Sequence, residues 1–521
     1  TGTENTAMGQ SALLNNTTCS SNTAVGSQAM CGNGTISGNN NTSVGSLALR
    51  CITSGAENTA VGYYAGLKNS TASDNTFLGT CAGYLNTTGA NNVVVGHKSG
   101  LALTTGSSNI LVGERAACGL TTGNGNIIVG QGASQSALTG GCNTVVAYQG
   151  LSGNTSGACN VAMGYRASFE ATEGSCNVAI GTCALSNQTT IGNQTAVGAF
   201  ALRANTSGFS NTAVGYLALC ANTTGCYNTA VGREALQTKT TGSNNTAVGY
   251  QALHLTSQGQ YNTAVGGQAL TAVTTSNYNT AVGVGALESN TTACCNTAVG
   301  SSAGSDVTTG KENVFVGLGA GGGTITTGCR NTFIGMNAGR NGTATSNSVA
   351  IGYGAYTDNT DGNVELVIAH ATQGCGSNTF TFGKASNKVH NTFSTNASWT
   401  RNSDLRLKTN IKNSNLGLDF IDKLRPVTYN WKASNEIDKE LTSEYNEKNN
   451  KDTETTMNGL IAQEVKQALI DSGVSETDVK DYGVWTENKS GIQEISREMF
   501  VIPLINAIKE LKAEIELLKN K

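Results

Sequence analysis

The 521-residue chain lacks any apolar run approaching the roughly eighteen residues of a membrane-spanning helix, which excludes a transmembrane helix, and no membrane insertion is expected. It also lacks strong net charge. A formal balance of −3 gives no electrostatic ground for binding nucleic acid or an anionic membrane. Proline is nearly absent, and both copies, Pro426 and Pro503, fall late, as do the three tryptophans, all beyond residue 398. Charge is thin over most of the chain. Of 65 charged side chains (31 basic plus 34 acidic), 24 lie in residues 1–375 and 41 in the last 146. Cysteine is missing where charge is plentiful, since all fifteen stand at or before Cys375. These absences divide the chain into a low-charge, Gly-rich body and an ordinary charged tail. The chain opens on "TGTENTAMG", already inside a repeat and without an initiator Met, so an upstream segment is expected.

The body is a repeat. Taking the glycine of "NTAVG" as position 0, it recurs from Gly9 to Gly352 in 21 copies, with Ala147 standing in once. The spacing is 17 residues apart from one step of 19 (Gly26 to Gly45) and one of 18 (Gly317 to Gly335). A fixed short period signals a solenoid. Position −1 is always Val, Ile, Leu or Met, position +3 is Ala in all but two copies, and position −4 is Asn in all but two. Seventeen is no multiple of a helical turn, and "TAV" followed by Gly suits short strands joined by Gly/Asn/Thr turns. One coil per repeat stacks equivalent residues about 4.8 Å apart, so 21 coils predict a rod on the order of 100 Å. The aliphatic −1 column is then expected to form a continuous apolar spine. A single roll with so thin a core calls for burial between chains, and a parallel homotrimer is inferred.

"NSVAIG" (Asn347 to Gly352) and the looser "NTAVG" copies resemble the coil motif of trimeric autotransporter adhesin heads. That resemblance implies a parallel β-roll packed three together over residues 1–356. The family's coil is shorter than 17 residues, and residues 1–521 are not expected to form its membrane-anchor barrel.

Three columns invite functional readings. Stacked asparagines can satisfy the backbone of the turns. Threonines at −3 could face ice as a regular array, but bulky, variable neighbours such as Tyr63, Arg233 and Gln251 disfavour it. Side chains just after the glycine vary most and include Tyr63, Tyr165, Tyr216 and Tyr250, the expected surface for a bound receptor. Cys142, Cys159 and Cys176 repeat at −5 in successive coils, and Cys295 shares that column. They could cross-link coils or chains, or simply fill a narrow column as thiols. None has zinc-ribbon CxxC spacing, and no metal or cofactor is expected.

Residues 357–402 leave the repeat, and "NTFTFGKASNKVHNTF" alternates as strands of a neck. The tail follows with "SDLRLKTNI" (Ser403 to Ile411), "NGLIAQEVKQAL" (Asn458 to Leu469) and "MFVIPLINAIKELKAEIELLK" (Met499 to Lys519). In the last block Val501, Leu504, Ile508, Leu511, Ile515 and Leu518 recur at spacings of three and four, a coiled-coil seam for trimerisation. These blocks, in this order, resemble the intramolecular chaperone domain that ends endosialidases and other phage tail spikes and fibres, over Ser403 to Lys519. The resemblance implies a domain that trimerises, guides assembly of the β-structure ahead of it, and cuts itself off between Asn402 and Ser403. It marks Ser403 and Lys408 as nucleophile and base, with Asp404 and Arg406 as supporting residues. The chemistry is reasonable. A serine needs a base, a lysine with a lowered pKa can serve, and the scissile carbonyl is adjacent to the nucleophile. The polar insert Glu436 to Thr456 reads as a solvated loop.

The sequence thus predicts a mainly β chain: a shaft of 17-residue coils over 1–356, a β neck over 357–402, and a small α+β chaperone domain over 403–521 ending in a helix. The expected role is a trimeric viral or phage fibre or tail spike, an extracellular appendage of the virion, binding a host-surface receptor such as a glycan. A bacterial cell-surface adhesin with the same assembly domain is the alternative, and a polysaccharide depolymerase ranks below both. No turnover enzyme is expected, only a single self-cleavage.

Overall fold

A three-residue strand is too short to be stable alone, so each "TAV" segment depends on its neighbours for hydrogen bonds. In the computed structural model these segments pair parallel and in register from β1 (Thr6–Met8) to β21 (Ser348–Ile351), Thr on Thr and Val on Val, as in Thr246↔Thr263 and Val248↔Val265. The structure describes residues 2–323, 325–340, 346–358, 364–385, 387–392, 400–401, 405, 408–438, 447, 453–487 and 491–521. It forms two compact units, Thr1–Asn402 and Ser403–Lys521.

The chain is mainly β, a parallel solenoid of 22 turns with coils of about 17 residues. One coil more is present than the glycines mark. β22 (Glu365–His370) pairs with β21 at the same 17-residue step, Ile351 on Ile368, so the register runs beyond residue 356. Backbone hydrogen bonds need no particular side chain, and here Glu365 and Ala369 occupy the positions of the usual Asn and Gly. β23 (Thr379–Lys384) still adds in parallel at a shorter step, Glu365↔Thr379. β24 (Asn387–Thr392) then turns antiparallel and ends the regular stack.

The expected apolar spine is in the wrong column. Side chains alternate across a strand, and the buried strand residue is the middle one, at −2, such as Ala24, Ala60 or Ala247. The −1 aliphatics face out: Leu78 is 46% exposed and Val299 40%. The spine consists instead of the −2 residue, the +3 alanine and a leucine at +4, as in Ala247, Ala252 and Leu253, all fully buried.

That leucine sits where sequence rules would not place it. Leu236, Leu253 and Leu270 all have φ near +50°, as do the residues at +2 such as Gln251 (φ 54°). A left-handed conformation costs a non-glycine residue about 1–2 kcal/mol. The alternation lets amides point alternately along the stack. Gln251 N–H donates back to Arg233 O and Leu236 N–H donates forward to Ala252 O, each at 3.0 Å. Paired backbone and about 1.5–3 kcal/mol of leucine burial offset the strain. Position 0 has a stricter demand. Gly249 has φ +135°, and a Cβ there would stand 2.5 Å from Gly266 O.

Core volume is conserved between columns. Where −2 is the large Phe77, position +4 is glycine in the same coil (Gly83) and in the preceding one (Gly66). A Cβ on Gly83 would lie 2.2 Å from the Phe77 ring. Phe315 has the same relation to Gly321 and Gly304. Close packing explains this exchange, since no room remains for both a phenyl ring and a leucine.

A buried amine interrupts the +7 column. Lys239 is fully buried and donates from Nζ to Gly259 O at 2.8 Å. Its neighbours in the column, Asn222 and Thr256, each keep a buried oxygen, Oδ1 and Oγ1, without a hydrogen-bond partner. Burial lowers the Lys239 amine to about 7.

Two predictions follow from this core. Phe77→Ala should cost about 3–5 kcal/mol through the cavity it leaves. Adding Gly83→Leu should recover more than half of that loss, because it restores the Ala/Leu pairing of other coils. Guanidinium midpoints measure both, and a double variant no better than Phe77→Ala contradicts the exchange. For Lys239, the unfolded amine titrates near its ordinary value of about 10.4. The unfolded chain therefore binds more protons between about pH 7 and that value, and stability rises with pH across the window. Lys239→Met should be more stable than the parent at pH 7, with the difference shrinking toward pH 10. A difference independent of pH would show that the amine is not desolvated.

Candidate functional site

The tail folds around Leu416, Phe420, Val465, Leu469, Trp485 and Phe500. The unit contains helix α1 (Leu418–Asp422), helix α2 (Ala462–Asp471), the C-terminal helix α3 (Val501–Lys519) and two short antiparallel strand pairs. These are β26 (Val427–Tyr429) with β27 (Met457–Gly459), and β28 (Trp485–Glu487) with β29 (Gln493–Ile495).

Of the proposed cleavage residues, Asn402, Ser403, Asp404 and Arg406 lie outside the described residues. Lys408 is described: its side chain is exposed, and its backbone N–H donates to Leu405 O at 3.1 Å. The chain just downstream is held firmly. Asn506 Nδ2 donates to Leu416 O (3.0 Å) and Ser414 O (3.3 Å), and Leu418 N–H donates to Glu510 Oε2 (2.6 Å). Tyr482 O–H reaches Asn415 Oδ1 at 3.2 Å. The C-terminal helix thus clamps the segment that begins six residues after Lys408. Asn506 and Glu510 went unnoticed in the sequence because hydrogen bonds across 92 residues leave no local pattern. Their spacing of four, off the apolar stripe, is the one available signal.

The same helix buries Pro503 and Ala507 against its own domain. The apolar stripe is left outside: Leu504, Ile508, Leu511, Ile515 and Leu518 are all exposed, from 42% at Leu511 to 69% at Leu518. Elsewhere in the tail, Arg425 pairs with Glu464, Nε to Oε2 at 3.1 Å, and that guanidinium holds the Glu464 carboxyl below its usual range. Residues 439–446 and 448–452 of the polar insert lie outside the described residues.

In the shaft, the asparagines at −4 form a buried hydrogen-bonded ladder. Asn58 donates from both its backbone N–H and Nδ2 to Asn41 Oδ1 at 3.0 Å, and Nδ2 also reaches Ala72 O at 2.9 Å. Asn75 repeats the pattern on Asn58. This column faces no solvent and offers nothing to a ligand. Glu365 takes the same position in β22, buried, accepting the N–H groups of Asp358 (2.8 Å) and Gly376 (3.0 Å), and burial raises its carboxyl pKa.

Tyr63, Tyr165, Tyr216 and Tyr250 are each nearly half exposed in one column, and Tyr165 stacks on Tyr148 with centroids 5.7 Å apart. Cys142, Cys159 and Cys176 are exposed in successive coils, and all fifteen cysteines are free. Among the described residues no cluster of His, Cys, Asp or Glu could hold a metal ion, and no helix is long and apolar enough to cross a membrane.

Comparison with known proteins finds a match within the tail. Residues 403–474 match the family described as chaperone of endosialidase. No curated protein and no solved structure matches the chain. The match begins at Ser403, the first residue of the second compact unit.

Proposed function

We propose that this chain is a trimeric fibre or tail spike of a virus or phage, whose C-terminal domain drives trimer assembly and is then released by autoproteolysis between Asn402 and Ser403. The observation that carries the reading is the coincidence just described. The chaperone match, the border between compact units and the motif "SDLRLKTNI" all start at one residue. A long solenoid of in-register strands forms many non-local contacts and folds with exposed edges. An appended domain that gathers three chains before the shaft zips offsets the entropy of bringing them together. The uncovered stripe Leu504, Ile508, Leu511, Ile515 and Leu518 is the seam for those three chains.

In the cleavage step Ser403 Oγ adds to the Asn402 carbonyl carbon while Lys408 takes the hydroxyl proton. The Asn402–Ser403 C–N bond breaks, and the Ser403 nitrogen leaves as an amine with that proton. Water then hydrolyses the resulting ester, leaving a carboxylate on Asn402. One turnover is enough, and Asp404 and Arg406 position the loop. The mature shaft, on the virion surface, then binds a host receptor, a glycan being the class its exposed tyrosines suit. A bacterial surface adhesin using the same assembly domain is the second reading, favoured by the "NSVAIG" coil.

Intact-mass measurement of the full chain should give fragments 1–402 and 403–521, and Ser403→Ala should leave one uncut chain. Cleavage persisting in that variant defeats the assignment. Deleting residues 403–521 before expression should give aggregated or monomeric shaft by light scattering. A soluble trimer from the deletion would contradict the chaperone role.

A further inference from the structure

The exposed apolar side chains of the shaft are not scattered. All but three of the large ones (Leu14, Leu85 and Leu255) fall between positions −6 and +1, on the strand and the two turns flanking it. Their centre is the outward sheet face, where Thr or an aliphatic at −3 alternates with the aliphatic at −1. Neither position carries a charged residue in any coil. The stripe outlasts the glycine repeat, continuing in register through Ile368 to Phe382, which are 44% and 40% exposed.

We propose that this face is where copies of this chain pack against one another, parallel and at equal height, along the whole shaft. The proposal rests on the trimer reading and assigns the surface that reading leaves open. Three features select a second copy as the occupant. First, the stripe repeats at about 4.8 Å for about 100 Å. A covering surface must match that period and length, and another copy of the same solenoid does so by construction. Second, three residues of strand span about 10 Å, so the strands of 22 coils alone present about 1,000 Å² per copy, about 500 Å² toward each of two neighbours. The exposed apolar side chains of the flanking turns add to this toward the ~800 Å² per partner of a stable interface. Third, the face is uncharged, so bringing identical faces together desolvates no ion. Identical chains closed about an axis along the stack place each coil beside its own equivalent. Val lies near Val, with the tyrosines at +1 on the rim.

The test is photo-cross-linking of the assembled full-length protein carrying benzoylphenylalanine at Val265, with Leu255, exposed but outside the stripe, as the control. Position 265 should give covalent dimers and trimers at least tenfold above position 255. Equal yields, or cross-linking at 255 alone, overturn the assignment. In parallel, Val231→Asp, Val265→Asp and Val299→Asp combined should convert the shaft to monomer, while Leu255→Asp leaves it assembled. If the triple variant does not fold, the photo-cross-link in otherwise unaltered protein decides. The native mass of the unsubstituted shaft separates the two claims. A monomer defeats the trimer reading itself, whereas a trimer without cross-links at 265 defeats only this choice of face.

Discussion

In-register stacking at 17 residues is the constraint from which the shaft derives its order. A residue in this arrangement has its own counterpart above and below, so a column of buried polar groups can be satisfied from coil to coil. The −4 asparagines do this because a carboxamide both donates and accepts: Asn75 binds Asn58, and Asn58 binds Asn41. A carboxylate, which only accepts, and a serine hydroxyl, which has a single proton to donate where a carboxamide has two, need help from the backbone. That is what appears at the end of the ladder, where Ser348 donates to Ser346 O and Glu365 accepts two backbone N–H groups. Replacing an amide by a carboxylate there also changes which partners are possible, because an ionised acid accepts but cannot donate.

The same stacking makes volume a property of columns rather than of single sites. Many coils contain little more than two small residues and a leucine, so a phenyl ring at −2 is met by loss at +4. The phenylalanine–glycine exchange at Phe77 and Phe315 is the visible result. It also explains why left-handed leucines persist at +4. The alternating backbone that strains them lets the N–H groups at +2 and +4 find partners in the coils on either side, and their side chains fill the core that the short strands leave open. Lys239 is tolerated within this scheme as a single defect, since one carbonyl is within reach of its amine.

The tail works on a different principle. Its core is compact and its key hydrogen bonds are long-range: Asn506 and Glu510 of the last helix hold the backbone at residues 414–418. One helix face is thereby committed to its own domain, and another, with Ile508, Ile515 and Leu518, is exposed. The last helix thus holds the segment that follows "SDLRLKTNI" on one side and leaves an apolar stripe exposed on the other.

Several features were legible in the linear chain. The 17-residue period, the parallel solenoid and the structural role of the asparagines follow from spacing and residue type, because a repeat writes its geometry into its own period. The likeness of the tail rested instead on the motifs beginning at Ser403, Asn458 and Met499. What the sequence misassigned was the direction in which side chains point. The invariant aliphatic at −1 looks like a core, yet the pleat turns it outward and gives the interior to the small residue before it. Periodicity reports that a column exists and is apolar; it does not report which side of a three-residue strand faces in. That choice, the left-handed leucines and the extra coil ending in Glu365 and Ala369 were settled only by tertiary structure. Each depends on backbone hydrogen bonds and packing between coils, and these can override local residue preference without leaving a trace in it.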